Sequence, residues 1–257
     1  NNKENLPNPF KCIQIDRVYR AERPQKGRMR EFTQCDIDII GSSNINCEIE
    51  LIKTTADALL KIGIDNFKVR INNRKVLRRF IEKLGFEKEN IDSVCVTFDK
   101  LDKIGVDGIK EELISKDSDK LATDKLISVL AKFVSLDEVE SVCGKMEEIN
   151  QLRYIIESIE KLSKGKYKIE YDVSLVRGQG YYTGAVFEIQ SEKFKGAIAG
   201  GGRYDNLIEK FCGISVPAVG FSIGFERIFS ILSEQNLFPN SGRKKVALFY
   251  EKDFIEC

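Results

Sequence analysis

A short stretch near the start of the chain concentrates side chains that could bind a polyanion. Close to Pro24 and Gly27 the chain carries four cations, Arg23, Lys26, Arg28 and Arg30. Guanidinium forks match phosphate oxygens bidentately, so such a loop indicates a ligand such as a nucleotide triphosphate. The alternative is a solvated basic turn that Glu22 and Glu31 balance, and the charges alone leave both interpretations open.

Two segments with strand-like patterns flank this basic loop. In the second segment apolar and polar residues alternate, with Cys35, Ile37 and Ile39 set against Gln34, Asp36 and Asp38. In a strand, such alternation places apolar groups on one face and polar groups on the other. The first segment, residues 11–20, alternates less regularly. An antiparallel hairpin would bring Arg20, Gln34 and Asp38 onto one surface.

Composition narrows the chemistry that the chain can perform. The 257 residues contain no histidine, which excludes Ser-His and Cys-His catalysis and histidine-ligated zinc. Seven cysteines without a CxxC pair indicate free thiols and a cytoplasmic location. The formal charge of +1 gives no bulk attraction to nucleic acid, so any such contact must be local. No apolar run is long enough for a membrane span.

Periodicity predicts alternating helices and strands. Helices are expected at residues 47–62, 74–84 and 146–162 and from Gly224 onward, and strands at residues 67–71, 219–223 and 244–250. The charge-rich stretch 86–145 has helical periodicity and predicts a helical insertion. Its Lys residues are offset by Asp and Glu, which is typical of a helical module on the surface. Isolated cations such as Arg70 and Arg78 are expected to be solvated.

Two arginines occupy positions that call for an anionic partner. Alternating apolar residues from 169 to 175 lead into Arg177 just before Gly178, and a buried arginine requires a compensating negative charge. That partner is either internal, Glu188 or Asp172, or the phosphate of a bound substrate. Arg227 stands at a predicted helix start, against the helix dipole, and is expected to face an anion.

Four segments in order resemble one enzyme family. The segment RAERPQKGRMREFTQ at residues 20–34 resembles motif 2 of class II aminoacyl-tRNA synthetases in its histidyl form. LVRGQGYYTG at 175–184 and GGGRYDN at 200–206 resemble segments particular to the histidine-specific enzymes, and VGFSIGFERI at 219–228 resembles motif 3. The resemblance to the histidyl-tRNA synthetase family implies an α+β fold, with an antiparallel sheet flanked by helices and interrupted by a helical insertion. It divides the chain into core residues 1–85, insertion 86–145, core 146–241, and the first strand of an anticodon-binding domain at 242–257.

The resemblance also implies roles for individual residues. Arg20 and Arg177 are the expected catalytic cations. ATP, with Mg²⁺, is expected to contact Arg20, Arg28, Arg30, Phe32 and Arg227. L-Histidine is expected to contact Gln34, Asp38, Arg177, Tyr181, Tyr182 and Tyr204, the first two binding its amino group and the tyrosines its imidazole. The expected partners are tRNA(His) and a second copy of the chain in a full-length homodimer. The resemblance implies that the insertion is a flap that contacts the acceptor stem of the tRNA, and a surface module without this contact is the alternative.

Two features leave a second interpretation open. Gln179 and Gly180 stand where many members of the family have Leu-Asp, and motif 1, which builds the dimer interface, is not found before the first strand. The chain is therefore expected to be a fragment with little activity alone. The alternative is a non-catalytic paralogue, either the regulatory subunit of ATP phosphoribosyltransferase or the synthetase-like domain of a stress kinase. Retention of Arg20, Gln34, Asp38, Arg177, Tyr181 and Tyr182 favours the enzyme.

Overall fold

A computed structural model describes residues 5–21, 29–132, 134–176, 180–194 and 196–235, apart from the side chain of Asp102. Within these ranges the chain forms one sheet of seven strands and nine α-helices. The strands are β1 (Phe10–Tyr19), β2 (Glu31–Ile40), β3 (Phe67–Asn73), β4 (Lys168–Tyr171), β5 (Ala185–Ser191), β6 (Ala197–Arg203) and β7 (Ala218–Gly224). The predicted α+β class, with a mostly antiparallel sheet, is confirmed.

Strand order brings distant parts of the chain together. Across the sheet the order is β1-β2-β7-β6-β5-β3-β4. Only β3 and β4 pair in parallel among the described strands. The hairpin β1–β2 forms in the predicted antiparallel sense, with Asp16 opposite Gln34 and Cys12 opposite Asp38. The hairpin is thereby joined through β7 to the glycine-rich strand β6.

The helices follow the predicted periodicity closely. They are α1 (Asn46–Lys61), α2 (Arg74–Leu84), α3 (Ile91–Phe98), α4 (Leu101–Ser115), α5 (Lys120–Leu130), α6 (Leu136–Cys143), α7 (Glu147–Ser163), α8 (Glu209–Cys212) and α9 (Phe225–Glu234). The side chain of Asn73 caps α2 by accepting a hydrogen bond from Lys75 N, and Gly85 ends the helix with a φ of +113°. None of the helices in the described ranges is long and apolar enough to cross a bilayer.

The stretch predicted as an insertion is helical. Helices α3 to α6 lie within it, and α3, α5 and α6 pack against α2 of the preceding core segment. Phe98, Ile109 and Leu113 are buried there. The exact boundaries of the insertion stay a prediction. The strand expected at 244–250, and with it the start of an anticodon-binding domain at 242–257, lies outside the described residues.

The two faces of the sheet are covered differently. The main hydrophobic core uses side chains that all project from one face, among them Ile37, Ile39, Val69, Ile71, Phe187, Ile189, Val219 and Phe221. Helices α1 and α9 pack on β2, and α7 packs on β3 and β4. The opposite face of the sheet, which we call the open face, carries a separate small cluster of Leu175, Tyr182 and Val186. The pleat therefore separates a packed side from a side that can receive a ligand.

Gly201 allows two aromatic rings to meet across a strand. It lies on β6 between Phe187 of β5 and Phe221 of β7. The ring centroids of the two phenylalanines are 4.8 Å apart, in edge-to-face geometry. A Cβ atom at position 201 would lie 2.8 Å from the Cα of Phe221. This contact explains one member of the glycine triplet by backbone packing.

The structure corrects two predictions, the exposure of Arg70 and the length of strand β4. Arg70 is not solvated, because it is 8% exposed and pairs with Asp172 and Glu188. Strand β4 ends at Tyr171, although the apolar alternation continues to residue 175. The strand ends because Asp172 forms a local turn. Its Oδ1 accepts hydrogen bonds from Ser174 N at 2.8 Å and from Ser174 Oγ at 2.6 Å.

Replacing one of the paired rings tests the packing of the sheet. Phe187→Ala is expected to lower the free energy of unfolding by about 3–5 kcal/mol, since it removes a fully buried ring and leaves a cavity. The same substitution at Phe211, which is 84% exposed, should change it by less than about 0.5 kcal/mol. Urea denaturation of both variants measures the difference. Equal losses would contradict the packing described here.

Candidate functional site

The open face of β2, β7 and β6 forms the floor of the candidate site. Gly220 pairs with Asp38 on one side and Gly202 on the other. A Cβ atom at Gly202 would lie 2.7 Å from the carbonyl oxygen of Ala185 and 2.8 Å from Cδ1 of Tyr182. The glycines thus leave room for tyrosine rings and polar side chains on this face.

Asp38 and Tyr204 form the polar centre of the site. The Tyr204 hydroxyl donates a short hydrogen bond to Oδ1 of Asp38. Burial raises the pKa of Asp38, and the hydrogen bond from Tyr204 only partly opposes this effect. Burial and the hydrogen bond to Asp38 together raise the pKa of Tyr204, so its hydroxyl stays a donor at neutral pH. A partly desolvated carboxylate of this kind is a suitable acceptor for a ligand ammonium group.

Three tyrosines line the site beside this carboxylate. The ring centroids of Tyr181 and Tyr182 are 4.5 Å apart, and those of Tyr181 and Tyr204 are 6.1 Å apart in edge-to-face geometry. The hydroxyls of Tyr181 and Tyr182 are 3.4 Å apart. Leu175 and Val186 pack beneath them. Flat rings with phenol hydroxyls can sandwich a planar ligand group and hydrogen-bond to its ring nitrogens.

Gln34 belongs to a short hydrogen-bonded chain on the same face. Its Nε2 donates to Oγ of Ser222, and that hydroxyl donates to Oδ1 of Asp36. The sequence pattern placed Asp36 on the polar face but assigned it no role, and it missed Ser222. A polar residue within the apolar strand VGFSI was the only available signal for Ser222. Gln34, Asp36 and Asp38 lie on the same face of β2.

The hairpin end of the open face carries two of the predicted phosphate-binding cations, Arg20 and Arg30. Nε of Arg20 donates to the carbonyl oxygen of Met29 at 2.8 Å, and its guanidinium lies 4.0 Å from the centroid of the Phe32 ring. Arg30 is exposed, and its carbonyl oxygen accepts a hydrogen bond from Arg20 N at 2.9 Å. Arg20, Phe32 and Arg30 therefore lie together.

Arg227 is positioned by strand β6. Its Nη1 donates to the carbonyl oxygen of Ala197, and its guanidinium lies 5.9 Å from the ring centroid of Phe194. The preceding residue, Glu226, accepts a hydrogen bond from Thr33 N at 2.6 Å and so fixes the start of α9 against the hairpin.

The structure brings together part of the predicted site. Gln34, Asp38, Tyr182 and Tyr204 lie along one open face, with Tyr181 packed on the last two. Arg28 and Arg177, two predicted phosphate contacts, lie outside the described residues. Asp172 and Glu188, the internal partners considered for Arg177, both bind Arg70.

Comparison with known proteins identifies the family. The family model described as histidyl-tRNA synthetase matches residues 2–228. The chain belongs to the histidyl-tRNA synthetase family. It is 37% identical over 254 residues to a histidine–tRNA ligase of Leifsonia xyli subsp. xyli, covering 94% of this chain and 58% of that protein. A histidine–tRNA ligase of Cytophaga hutchinsonii is 38% identical over 269 residues, covering 100% of this chain and 59% of that protein.

Solved structures agree with this family assignment. The crystal structure of histidyl-tRNA synthetase from Nostoc sp. PCC 7120 has a TM-score of 0.79 and 29% identity, over 93% of this chain and 57% of that one. A structure from Bacillus halodurans, titled as an ATP phosphoribosyltransferase regulatory subunit/histidyl-tRNA synthetase, has a TM-score of 0.74 and 23% identity, over 90% of this chain and 60% of that one. At this identity, the Bacillus halodurans structure shows only that it has the same fold as this chain. The chain spans about 60% of the length of the curated relatives it matches.

Removing the charge of Asp38 tests the electrostatics of the site without a ligand. Because the folded state raises the pKa of Asp38 above its ordinary value of 3.8, ionising this group costs folding free energy. That cost is fully present above the folded-state pKa and is lost as the pH falls below 3.8, where both states are protonated. Asp38→Asn should therefore unfold at the same or a higher temperature at pH 7, since the amide oxygen can still accept from Tyr204.

Thermal unfolding from pH 3 to pH 8 measures this effect, with the exposed Asp65→Asn as the matched control. Any increase in the unfolding temperature of Asp38→Asn over the unmodified chain should disappear as the pH falls below 3.8. A midpoint clearly below that of the unmodified chain at pH 7 would contradict the desolvated state of Asp38.

Proposed function

We propose that the protein containing this chain is a histidine–tRNA ligase. In the first step an oxygen of the histidine carboxylate attacks the α-phosphorus of ATP, the bond to the β-phosphate oxygen breaks, and pyrophosphate leaves. In the second step a hydroxyl of the terminal adenosine of tRNA(His) attacks the acyl carbon, and AMP leaves. Neither step needs a protein nucleophile, so positioned cations and hydrogen-bond donors suffice.

The observation that carries the proposal is the pairing of Asp38 with Tyr204 next to Tyr181 and Tyr182. An amino acid with a planar polar side chain needs an anion for its ammonium group and flat donors or acceptors for its ring. We assign the ammonium to Asp38 and Gln34, and the imidazole to the three tyrosines. Phenol hydroxyls reject ligands that lack ring nitrogens, because the hydroxyls would be left without a partner.

The nucleotide is assigned to the hairpin end of the open face. Arg20 and Arg177 contact the α-phosphate and meet the charge that develops there, while Arg28, Arg30 and Arg227 contact the β- and γ-phosphates. Phe32 stacks on adenine. The Arg20 guanidinium lies over the Phe32 ring, so adenine can bind on that ring face only after Arg20 turns toward the phosphate. Arg20 thereby couples nucleotide binding to the assembly of the phosphate site.

Mg²⁺ is proposed to enter with ATP. In the part of the chain that the structure describes, no group of three or more acidic, cysteine or histidine side chains could hold a metal ion. Mg²⁺ commonly binds phosphate oxygens and water with few protein ligands. When bound it would reduce the negative charge of the phosphates. The arginines described above act on the same charge.

We also propose that helices α3–α6 contact tRNA(His) and that the full-length protein is a homodimer.

The second candidate is a non-catalytic relative such as the regulatory subunit of ATP phosphoribosyltransferase, which shares the fold. Such a protein needs no site that joins an ammonium-binding carboxylate to phosphate-binding arginines. The retained Arg20, Gln34 and Asp38 therefore support the enzyme.

Histidine-dependent exchange of pyrophosphate into ATP distinguishes the two candidates. The full-length product of the gene that encodes this chain is expected to catalyse exchange with L-histidine and not with L-phenylalanine, which has no ring nitrogens. Calorimetry should show the same preference in binding. Histidine binding without exchange would favour the regulatory candidate, and absence of both would refute the proposed function.

Removing the proposed transition-state cation tests the assignment of Arg177. Arg177→Ala in the full-length gene product is expected to lower kcat for pyrophosphate exchange by about 100-fold or more, because the developing charge on the phosphate loses its partner. Arg78→Ala is the matched control, since Arg78 lies on α2 and pairs with Asp92. Undiminished exchange by Arg177→Ala would show that the catalytic cation is another residue.

A further inference from the structure

Behind the candidate site lies a buried ion pair that the proposed chemistry does not use. Arg203 and Glu48 are 8% and 0% exposed. Nε of Arg203 donates to Oε1 of Glu48 at 2.6 Å, and Nη2 donates to Oε2 at 2.7 Å. This bidentate pair joins the end of strand β6 to the first turn of α1.

The remaining donors of the guanidinium bind the chain segments around the pocket. Nη1 donates to Oδ1 of Asp205 and to the carbonyl oxygen of Ser42, both at 3.1 Å, and Nη2 approaches the carbonyl oxygen of Asn44 at 3.5 Å. Ser42 and Asn44 belong to the loop that leaves β2, the strand of Asp38. Asp205 directly follows Tyr204 in the chain.

A third segment is attached through backbone hydrogen bonds. Thr183 N donates to the carbonyl oxygen of Arg203 at 2.8 Å, and Asp205 N donates to Oγ1 of Thr183 at 3.1 Å. Thr183 directly follows Tyr181 and Tyr182. The ion pair therefore lies at the junction of the three segments that supply Asp38, Tyr204 and the tyrosine pair.

The side chain of Arg203 projects from the packed face of β6, so it cannot touch a ligand on the open face. It is opposite Val219, whose side chain belongs to the main core, and its guanidinium is engaged with α1. The neighbouring Tyr204 faces Asp38 on the other side of the sheet. Any effect of Arg203 on a ligand must pass through these neighbours.

A stability role alone does not account for this arrangement. Desolvating two charges offsets much of their attraction, and well-packed apolar residues often serve a fold as well as a buried pair does. What apolar residues cannot supply is directional hydrogen bonds to three separate segments. The geometry points to Arg203 and Glu48 as positioning residues that hold Tyr204 in hydrogen-bonding distance of Asp38 and align the tyrosine pair beside them.

The consequence for catalysis depends on the proposed histidine-activating function, whereas the effect on Asp38 does not. Arg203→Lys preserves the charge but loses the planar fork. Any change at Asp38 in this variant therefore reports geometry and not net charge. Arg153→Lys is the matched control, because Arg153 on α7 forms an ion pair with Glu140 on α6 and makes no contact with Arg203 or Glu48 in the described structure.

The first measurement uses this chain without ligand. Carboxyl NMR titration of Asp38 should give a higher pKa in Arg203→Lys than in the unmodified chain, close to the value in Tyr204→Phe, since both variants lose the same hydrogen bond. Arg153→Lys should leave it unchanged. An unchanged Asp38 pKa in folded Arg203→Lys would overturn the proposal. If that variant does not fold, Glu48→Gln, which keeps the shape and one acceptor, takes its place with the same expectation.

The second measurement uses pyrophosphate exchange by the full-length gene product. Arg203→Lys should raise KM for histidine by about 10-fold or more, with KM for ATP within about 2-fold, and its effect should not add to that of Tyr204→Phe. Additive effects, or equal losses for both substrates, would contradict positioning through Tyr204. A shifted Asp38 pKa in a protein without histidine activation would refute the proposed function and leave the positioning role standing.

Discussion

The two-residue repeat of the sheet is the constraint on which the rest of the structure depends. Each strand offers one set of side chains to the helices and the alternate set to the open face. On β2, Ile37 and Ile39 enter the core while Gln34 and Asp38 face outward. A shift of one residue in the pairing of β2 would bury two aspartates and expose two isoleucines, so core packing also fixes the positions of the site residues.

Glycine on β6 and β7 gives the open face its depth. Gly202 and Gly220 let the ring of Tyr182 and the Asp38–Tyr204 pair lie directly on the backbone. On the packed face, Gly201 lets Phe187 meet Phe221. The same triplet thus serves both sides of the sheet, where a side chain on either side would push the strand away from its neighbours.

Local structure followed from the sequence, and long-range polar structure did not. The hairpin was predictable from alternation, and α2 from its periodicity and the glycine at its end. Arg70 was misjudged because its partners, Asp172 and Glu188, lie more than 100 residues away and meet it only through the order β5-β3-β4. Asp36 and Ser222 were missed for a similar reason, since a hydrogen bond across two strands depends on register, which single-strand patterns do not reveal.

We propose that the open face binds the amino acid at Asp38 and the phosphate between Arg20 and Arg177. The most direct measurement is a crystal structure of the full-length gene product with a non-hydrolysable histidyl-adenylate analogue. The amino group is expected at Asp38 and Gln34, the imidazole among the three tyrosines, and the phosphate mimic between Arg20 and Arg177. An analogue bound elsewhere, or guanidinium groups that bind only internal carboxylates, would contradict it.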